Sequence, residues 1–249
     1  MKRFSPRPPV TICVLTYGNY PRLAKRCIES IRNYCERPLY QLAAGANAVG
    51  ARTEAYLAKL HAAGDIDRLH LSQTNLNKCP MMRRMFDDID TEFIWWFDDD
   101  SYITKPGALL WLLGLARKSP PTTVMWGQEA ECNHTATFIN LPDAAGFIRS
   151  ASWYGGLTPP SWQPGGKGEF NFEGKGTGDG RWRFIVGGCW LIRTRAVRTL
   201  DWPDRRLIKL GDDVLLGEAV RQQGWEICNT GMERFVINAA RRRGDPGKL

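Results

Sequence analysis

An α/β fold is predicted: a mostly parallel sheet flanked by helices in three layers, with a long flexible lid loop in its second half. Three observations predict it. Short apolar runs at 10–15 and 92–97 have the length and the β-branched or aromatic content of strands buried on both faces. Between the runs lie segments with apolar residues at helical spacing, so that the order up to residue 97 reads β-α-β-α-β-α-β. The run at 92–97 also stops abruptly on three carboxylates, Asp98, Asp99 and Asp100. Open parallel sheets bind their ligands beyond the carboxyl ends of the strands, and charge of this density suits such a place.

Taken in order, residues 10–15 form the first strand, and the segment 16–19 turns out of it. Asn19 is placed to cap the following helix and Pro21 to sit in its first turn. Leu23, Cys27, Ile28 and Ile31 then give that helix an apolar stripe. Residues 40–44 read as a second strand and 45–50 as a turn, followed by a helix through Glu54, Leu57 and Leu60 that ends at Gly64. A third strand spans 69–71. Asn75, Asn77 and Lys78 lie in a polar loop before a helix striped by Met82, Met85, Phe86 and Ile89. After the acidic strand come a helix over 108–117, opened by Pro106, and a strand over 122–126. The segment from 150 to 182 is rich in glycine and carries Trp153, Tyr154, Trp162, Phe170 and Phe172. Loops of that length inside a compact domain are commonly functional, and the aromatics point to a substrate lid rather than a linker. A strand over 183–192 follows, interrupted by Gly187 and Gly188, which mark a bulge or a close approach of ligand to backbone. A helix opens on Asp212 and Asp213, carries Leu216 and Val220 on one face, and closes at Gly224.

Composition narrows the class. With 43% hydrophobic and 24% charged residues, the 249-residue chain is that of a soluble globular protein. Its net charge of +8 favours an anionic partner such as a nucleotide, a nucleic acid or a membrane surface. Seven scattered cysteines without a CxxC pair indicate reduced thiols in a cytoplasmic setting, and argue against a disulfide framework or a zinc site. Prolines 6, 8 and 9 interrupt the apolar run a signal peptide needs, and no apolar stretch approaches the length of a membrane span.

The carboxylates carry the chemistry. Alternation along a strand puts Asp98 and Asp100 on one side and Asp99 on the other. Two hard oxygen donors on one face suit Mg²⁺ or Mn²⁺ with a phosphate group completing the shell. The bland alternative is a solvated acidic turn that caps the next helix. Asp212 as an N-cap is worth about 1 kcal/mol, but one Asp suffices to cap, so the pair Asp212–Asp213 calls for a second role.

The ordered set of motifs resembles the sugar-nucleotide-dependent glycosyltransferases of the GT-A fold, a Rossmann-like three-layer architecture. Thr11-Ile-Cys-Val-Leu-Thr-Tyr-Gly-Asn is similar to the opening strand of the family-two group. Trp96-Phe-Asp-Asp-Asp-Ser is similar to its DxD element and to the DDD of Fringe-type enzymes. Gly187-Gly-Cys-Trp-Leu-Ile-Arg followed by Gly211-Asp-Asp-Val-Leu-Leu-Gly is similar to the region that carries the catalytic base. The resemblance spans about residues 10–230 and implies one domain over 1–249: a nucleotide-sugar-binding half at 10–126, an acceptor-binding and catalytic half at 127–235 with the lid at 150–182, and a basic tail at 236–249. It implies Asp213 as the base, with Asp212 beside it, and Asp98 and Asp100 as holders of Mn²⁺ or Mg²⁺. Thr16, Tyr17, Asn75, Lys78, Asp98, Asp99, Gly187 and Gly188 would line the donor, a UDP-sugar being favoured. The acceptor would be a glycan, a protein or a hydroxylated DNA base, and a single base opposite the leaving group implies inversion. Two departures stand out: Gly45-Ala-Asn-Ala replaces the acidic residue that often follows the second strand, and His61, His70 and His134 all precede the lid.

Two other classes compete. A nucleotidyltransferase that forms sugar nucleotides needs a Gly-rich basic loop directly after the first strand, where this chain has one glycine, Gly18. A nucleic-acid-binding protein would use the basic charge and the loop aromatics, yet no helix-turn-helix, zinc-finger or RNA-binding signature is present.

Overall fold

The computed structural model describes residues 7–133, 181–203, 212–231 and 233–237. Most of the expected lid, 150–180, and of the expected basic tail, 238–249, lies outside the described residues. The elements are β1 (Val10–Gly18), α1 (Pro21–Tyr34), β2 (Tyr40–Val49), α2 (Ala51–Ala62), β3 (Arg68–Ser72), α3 (Lys78–Phe86), β4 (Phe93–Asp98), β5 (Tyr102–Ile103) and α4 (Ala108–Lys118). They continue with β6 (Thr123–Asn133), β7 (Arg181–Arg193), α5 (Thr194–Thr199), α6 (Asp212–Gln222), β8 (Glu226–Asn229) and β9 (Phe235–Val236). Seven strands form one sheet in the order β3-β2-β1-β4-β7-β6-β8, and β5 pairs with β9 apart from it. β1 runs parallel to β2 and β4, β2 to β3, and β6 to β8, while β7 is antiparallel to both its neighbours. The sheet is thus mixed but mostly parallel. No helix among the described residues is long and apolar enough to cross a membrane.

Several boundaries differ from the sequence reading, for physical reasons. β1 continues through Thr16 and Tyr17 to Gly18, because its ladder with β2 persists to that point. β2 likewise runs on to Val49, where a turn at 45–50 was expected. Gly45 is there because Met85 Sδ and Leu15 Cδ1 occupy the space a side chain would need, not because the chain turns. The N-cap position of α1 is Tyr20 rather than Asn19, and the Tyr20 carbonyl accepts from the amides of Leu23 and Ala24. Lys78 is the first residue of α3 instead of a loop residue. The two-residue strands β5 and β9 are too short to carry a period, and the sequence reading missed them.

Alternation along β1 and β4 sorts the core into two layers. Val10, Ile12 and Val14 with Phe93, Trp95 and Phe97 pack on the α1, α2 and α4 side. Cys13 and Leu15 with Ile94 and Trp96 pack on the side of α3, α5 and α6. Asp98 follows Trp96 at the next even position, so its strand geometry directs it to the α3 and α6 side. That side is closed by tight seating of α6 on β7. A methyl group added at Gly217 would lie 2.8 Å from Arg183 O and 2.8 Å from Phe184 Cβ.

In an open helix Gly→Ala stabilises by up to about 1 kcal/mol. At Gly217 the added methyl overpacks against backbone, which costs about 1–3 kcal/mol, so the sign reverses. Gly217→Ala is expected to lower the Tm, by about 2–4 °C per kcal/mol in a chain of this size. A calorimetric scan with equal or higher Tm would show that α6 does not pack this closely on β7.

Candidate functional site

The parallel register of the central strands brings their carboxyl ends side by side. Thr16 lies opposite Ala46, Tyr17 opposite Asn47, and Leu15 opposite Asp98. Thr16 is fully buried and donates its hydroxyl to Gly45 O (2.8 Å), which ties β1 to β2. Tyr17 is 38% exposed and packs edge-on against Tyr20, so of the two it has surface to offer a ligand.

At the end of β2 sits a residue the sequence reading passed over. Asn47 is only 2% exposed, and both ends of its amide are used. Its Oδ1 accepts from the Leu76 amide (2.8 Å), and its Nδ2 donates to Asn75 Oδ1 (3.0 Å) and Asn77 O (3.3 Å). Asn75 Oδ1 also accepts from the Asn77 amide at 2.8 Å. Asn75, expected to meet the donor, gives its Oδ1 to the loop, which Asn47 fixes just ahead of Lys78. Asn77 completes the turn with φ +68° and ψ 173°, a sparsely populated backbone conformation for a residue with a side chain. The sequence places Asn47 in a turn at 45–50, so its role shows only once β2 carries it into the interior, where a buried amide needs partners.

Beyond β4 the chain turns at once. The Ser101 amide donates to Asp98 O (2.9 Å) and the Asp99 amide to Leu15 O (3.1 Å). The strand alternation expected to carry on to Asp100 therefore ends at Asp98. Asp99 and Asp100 are both buried in this turn. Burial first, and the Asp99 carboxylate next, push the Cys27 thiol of α1 well above its usual range. The Asp98 side chain points to the α3 and α6 side. Its Oδ1 accepts from Trp96 Nε1 (3.0 Å) and its Oδ2 from Lys78 Nζ (3.2 Å). The indole of Trp96 is held flat against Trp190 (5.9 Å, 19°) and edge-on to Phe86, which fixes the direction of its N–H.

Lys78 joins the two acidic motifs. Its Nζ lies 3.2 Å from Asp98 Oδ2, 3.1 Å from Asp212 Oδ2 and 3.1 Å from Gly187 O. Those contacts match the three donors of an ammonium. Burial alone would lower the lysine pKa, but the carboxylates of Asp212 and Asp98, with their hydrogen bonds, outweigh it and hold the ammonium far above its ordinary value. The Gly187 amide in turn donates to Asp213 Oδ2 at 3.2 Å. Asp98, Lys78, Asp212, Gly187 and Asp213 thus form one connected network between β4, α3, β7 and the first turn of α6.

The double glycine lies where β7 leaves its partner. Gly127 pairs with Trp190 and Glu129 with Ile185, so Gln128 alone faces the segment 186–189. This is the bulge that the mid-strand glycines predicted. A Cβ at Gly187 would come within 3.2 Å of Lys78 Nζ and 3.3 Å of Asp213 Cβ, so a side chain there would press on the network. Glu218, a further acid on α6, is buried and gripped by Arg221 through two 2.7 Å bonds and by Gln222 at 2.6 Å, which leaves Asp212 and Asp213 as the acids α6 brings to the site.

The donor set suits a hard divalent cation. Asp98 and Asp212 share Lys78, Asp213 stands next to Asp212, and Asp99 and Asp100 follow Asp98 in the turn; carboxylates at this density favour a bound cation. Among the described residues no three His, Cys, Asp or Glu side chains converge as a ready metal cage. Mg²⁺ and Mn²⁺ sites built on one or two carboxylates and completed by substrate phosphates need no such cage.

The family described as "Glycosyltransferase like family 2" matches residues 6–242. No curated protein sequence matches the chain. Among solved structures the fold is similar to a mannosyltransferase, PcManGT from Pyrobaculum calidifontis, in complex with GDP-Man and Mn²⁺ (TM-score 0.62, 14% identity, 95% of this chain and 58% of that one). It is also similar to S. aureus TarS 1–349, alone (TM-score 0.55, 10% identity, 91% of this chain and 59% of that one) and in complex with UDP-GlcNAc (TM-score 0.55, 11% identity, 91% and 57%). At these identities the likeness is one of fold, and the chain spans under two thirds of the length of those structures.

The role of Asn47 has a direct test. Asn47→Asp keeps an acceptor for the Leu76 amide but sets a carboxylate oxygen against Asn75 Oδ1 and Asn77 O. The expected loss is about 1–3 kcal/mol in urea denaturation, with faster hydrogen exchange at the Leu76 amide. A loss below about 0.5 kcal/mol would show that Asn47 does not hold the loop.

Proposed function

The chain belongs to glycosyltransferase-like family 2, and on that premise we propose that it moves a sugar from a nucleoside-diphosphate donor to an acceptor hydroxyl at the carboxyl ends of β1, β2 and β4. One observation carries the reading: the acidic turn after β4 and the acidic start of α6 meet across Lys78 and Gly187, so a donor group and a base share one site.

Asp98 and Asp100 would hold Mg²⁺ or Mn²⁺. When bound, the cation stabilises the charge that develops on the departing diphosphate. Tyr17 offers an exposed ring to the nucleoside, and Asp99 and the Gly187–Gly188 backbone would complete the wall of the donor site. Asp213 takes the proton of the acceptor hydroxyl as that oxygen attacks the anomeric carbon. The hydroxyl O–H bond and the sugar–phosphate bond break, the new glycosidic bond forms, and the proton ends on Asp213. Its Oδ2 accepts from the Gly187 amide, which holds the carboxylate in place before the acceptor arrives. One base on the face opposite the leaving group supports displacement with inversion. UDP-sugars are the favoured donors and glycans, proteins or hydroxylated DNA bases the candidate acceptors; UDP-GlcNAc and GDP-Man, bound by structures of similar fold, are the first donors to try.

Two substitutions test this. Asp213→Asn keeps the shape and an acceptor for the Gly187 amide. It is expected to shift stability by no more than about 1 kcal/mol while transfer falls by about 10² to 10⁴. Undiminished transfer would place the base elsewhere. Asp100→Asn is expected to abolish Mn²⁺-dependent binding of UDP and GDP in calorimetry while the far-UV spectrum stays unchanged. Equal affinity in the two proteins would remove the metal from this carboxylate.

A further inference from the structure

Resting on the reading of Asp213 as the base, we propose that Lys78 is a positioning residue: it holds the first turn of α6, and with it Asp213, against the end of β4, and does not bind the donor's phosphates.

The geometry separates these two roles. A lysine that grips phosphate keeps donors in hand for it, whereas the three hydrogen bonds of Lys78 go to Asp98, Asp212 and the Gly187 carbonyl. The Gly187 peptide is gripped at both ends, its carbonyl by Lys78 and its amide by Asp213. Moving Lys78 therefore disturbs Asp213 by two routes, through Asp212 next to it in sequence and through that peptide. The lysine is itself anchored, since it opens α3 directly after the loop that Asn47 pins to β2. Its ammonium also neutralises two carboxylates that lie no farther apart than two ion-pair contacts. Without it, Asp98 and Asp212 repel each other in a half-buried setting, which drives the start of α6 away from the end of β4. Displacement of a catalytic group by about 1 Å can cost about 10²-fold in rate.

The test is a double-mutant cycle on Lys78→Met and Asp212→Asn, read first as stability without substrate. Lys78→Met is expected to lower the Tm, and Asp212→Asn added to it to restore part of the loss, because the repelling pair is gone. Additive losses, or no loss in Lys78→Met, would overturn the proposal. If Lys78→Met does not fold, Lys78→Gln, which keeps two donors, takes its place in the cycle.

The second readout distinguishes position from binding. With UDP and Mn²⁺, or GDP and Mn²⁺, as calorimetric probes, Lys78→Met should bind within about threefold of the unaltered chain. Its kcat with UDP-GlcNAc or GDP-Man should fall by about 10²-fold with little change in KM, and Lys78→Arg should recover part of it. Nucleotide affinity weakened by about tenfold or more, with a matching rise in KM, would make Lys78 a phosphate ligand and sink the proposal. The two readings fail separately. An active Asp213→Asn variant removes the base assignment and leaves the stability cycle as it is; additive stabilities remove the clamp even if Asp213→Asn is inactive.

Discussion

A single ammonium shared by two carboxylates and a carbonyl is the interaction on which the site depends. Lys78 takes Asp98 from the sheet, Asp212 from α6 and the Gly187 carbonyl from β7. A buried lysine without partners would give up its proton, and the two carboxylates without the lysine would repel each other. Each charge is tolerable only because the others are present. Breaking such a group on one side costs far more than the group contributes as a whole, since the remaining charges stay where water reaches them poorly.

The rest of the local structure serves that contact. Gly187 is glycine because a side chain there would press on Lys78 and Asp213. Gly217 is glycine because α6 must approach β7 closely enough to bring its first turn over the bulge. Trp96 fixes the second oxygen of Asp98, and the stacked Trp190 holds Trp96. Asn47 sets the loop from which α3 starts. Farther out, Arg198 donates to the carbonyls of Phe86, Asp87 and Ile89 and so ties α5 to the end of α3. Arg193 lies between the rings of Phe93 and Trp126 and fastens β7 to Thr123 O and Ala116 O.

Membership of glycosyltransferase-like family 2 and the arrangement of the carboxylates bear on different questions. The family match, over residues 6–242, concerns the chain as a whole, and the fold likeness to nucleotide-sugar complexes concerns the backbone. The functional reading adds the chemistry of particular side chains: an acidic turn at the carboxyl edge of the sheet, and an acid at a helix N-terminus within reach of the same lysine. Fold by itself does not imply function, so the weight rests on those side chains.

The sequence by itself determined the layered α/β class, the central acidic strand and the helix that opens on Asp212 and Asp213. Each is local: a period of two or of 3.6, a short apolar run, or a motif read along the chain. Alternation along β4 was enough to give Asp98 its face, because backbone geometry sets it one residue at a time. Tertiary structure decided what alternation could not reach. The turn closed by Ser101 ended the period before Asp100, and pairing with β1 and β3 carried β2 through the glycine at 45, which reads as a turn when taken alone. It also decided the partners of Lys78, which stand 20, 109 and 134 positions away in sequence. A lysine in a polar loop and a lysine neutralising two acids have the same local sequence. Only the packing of α3 and α6 against one face of the sheet, where charge must be matched out of water, distinguishes them.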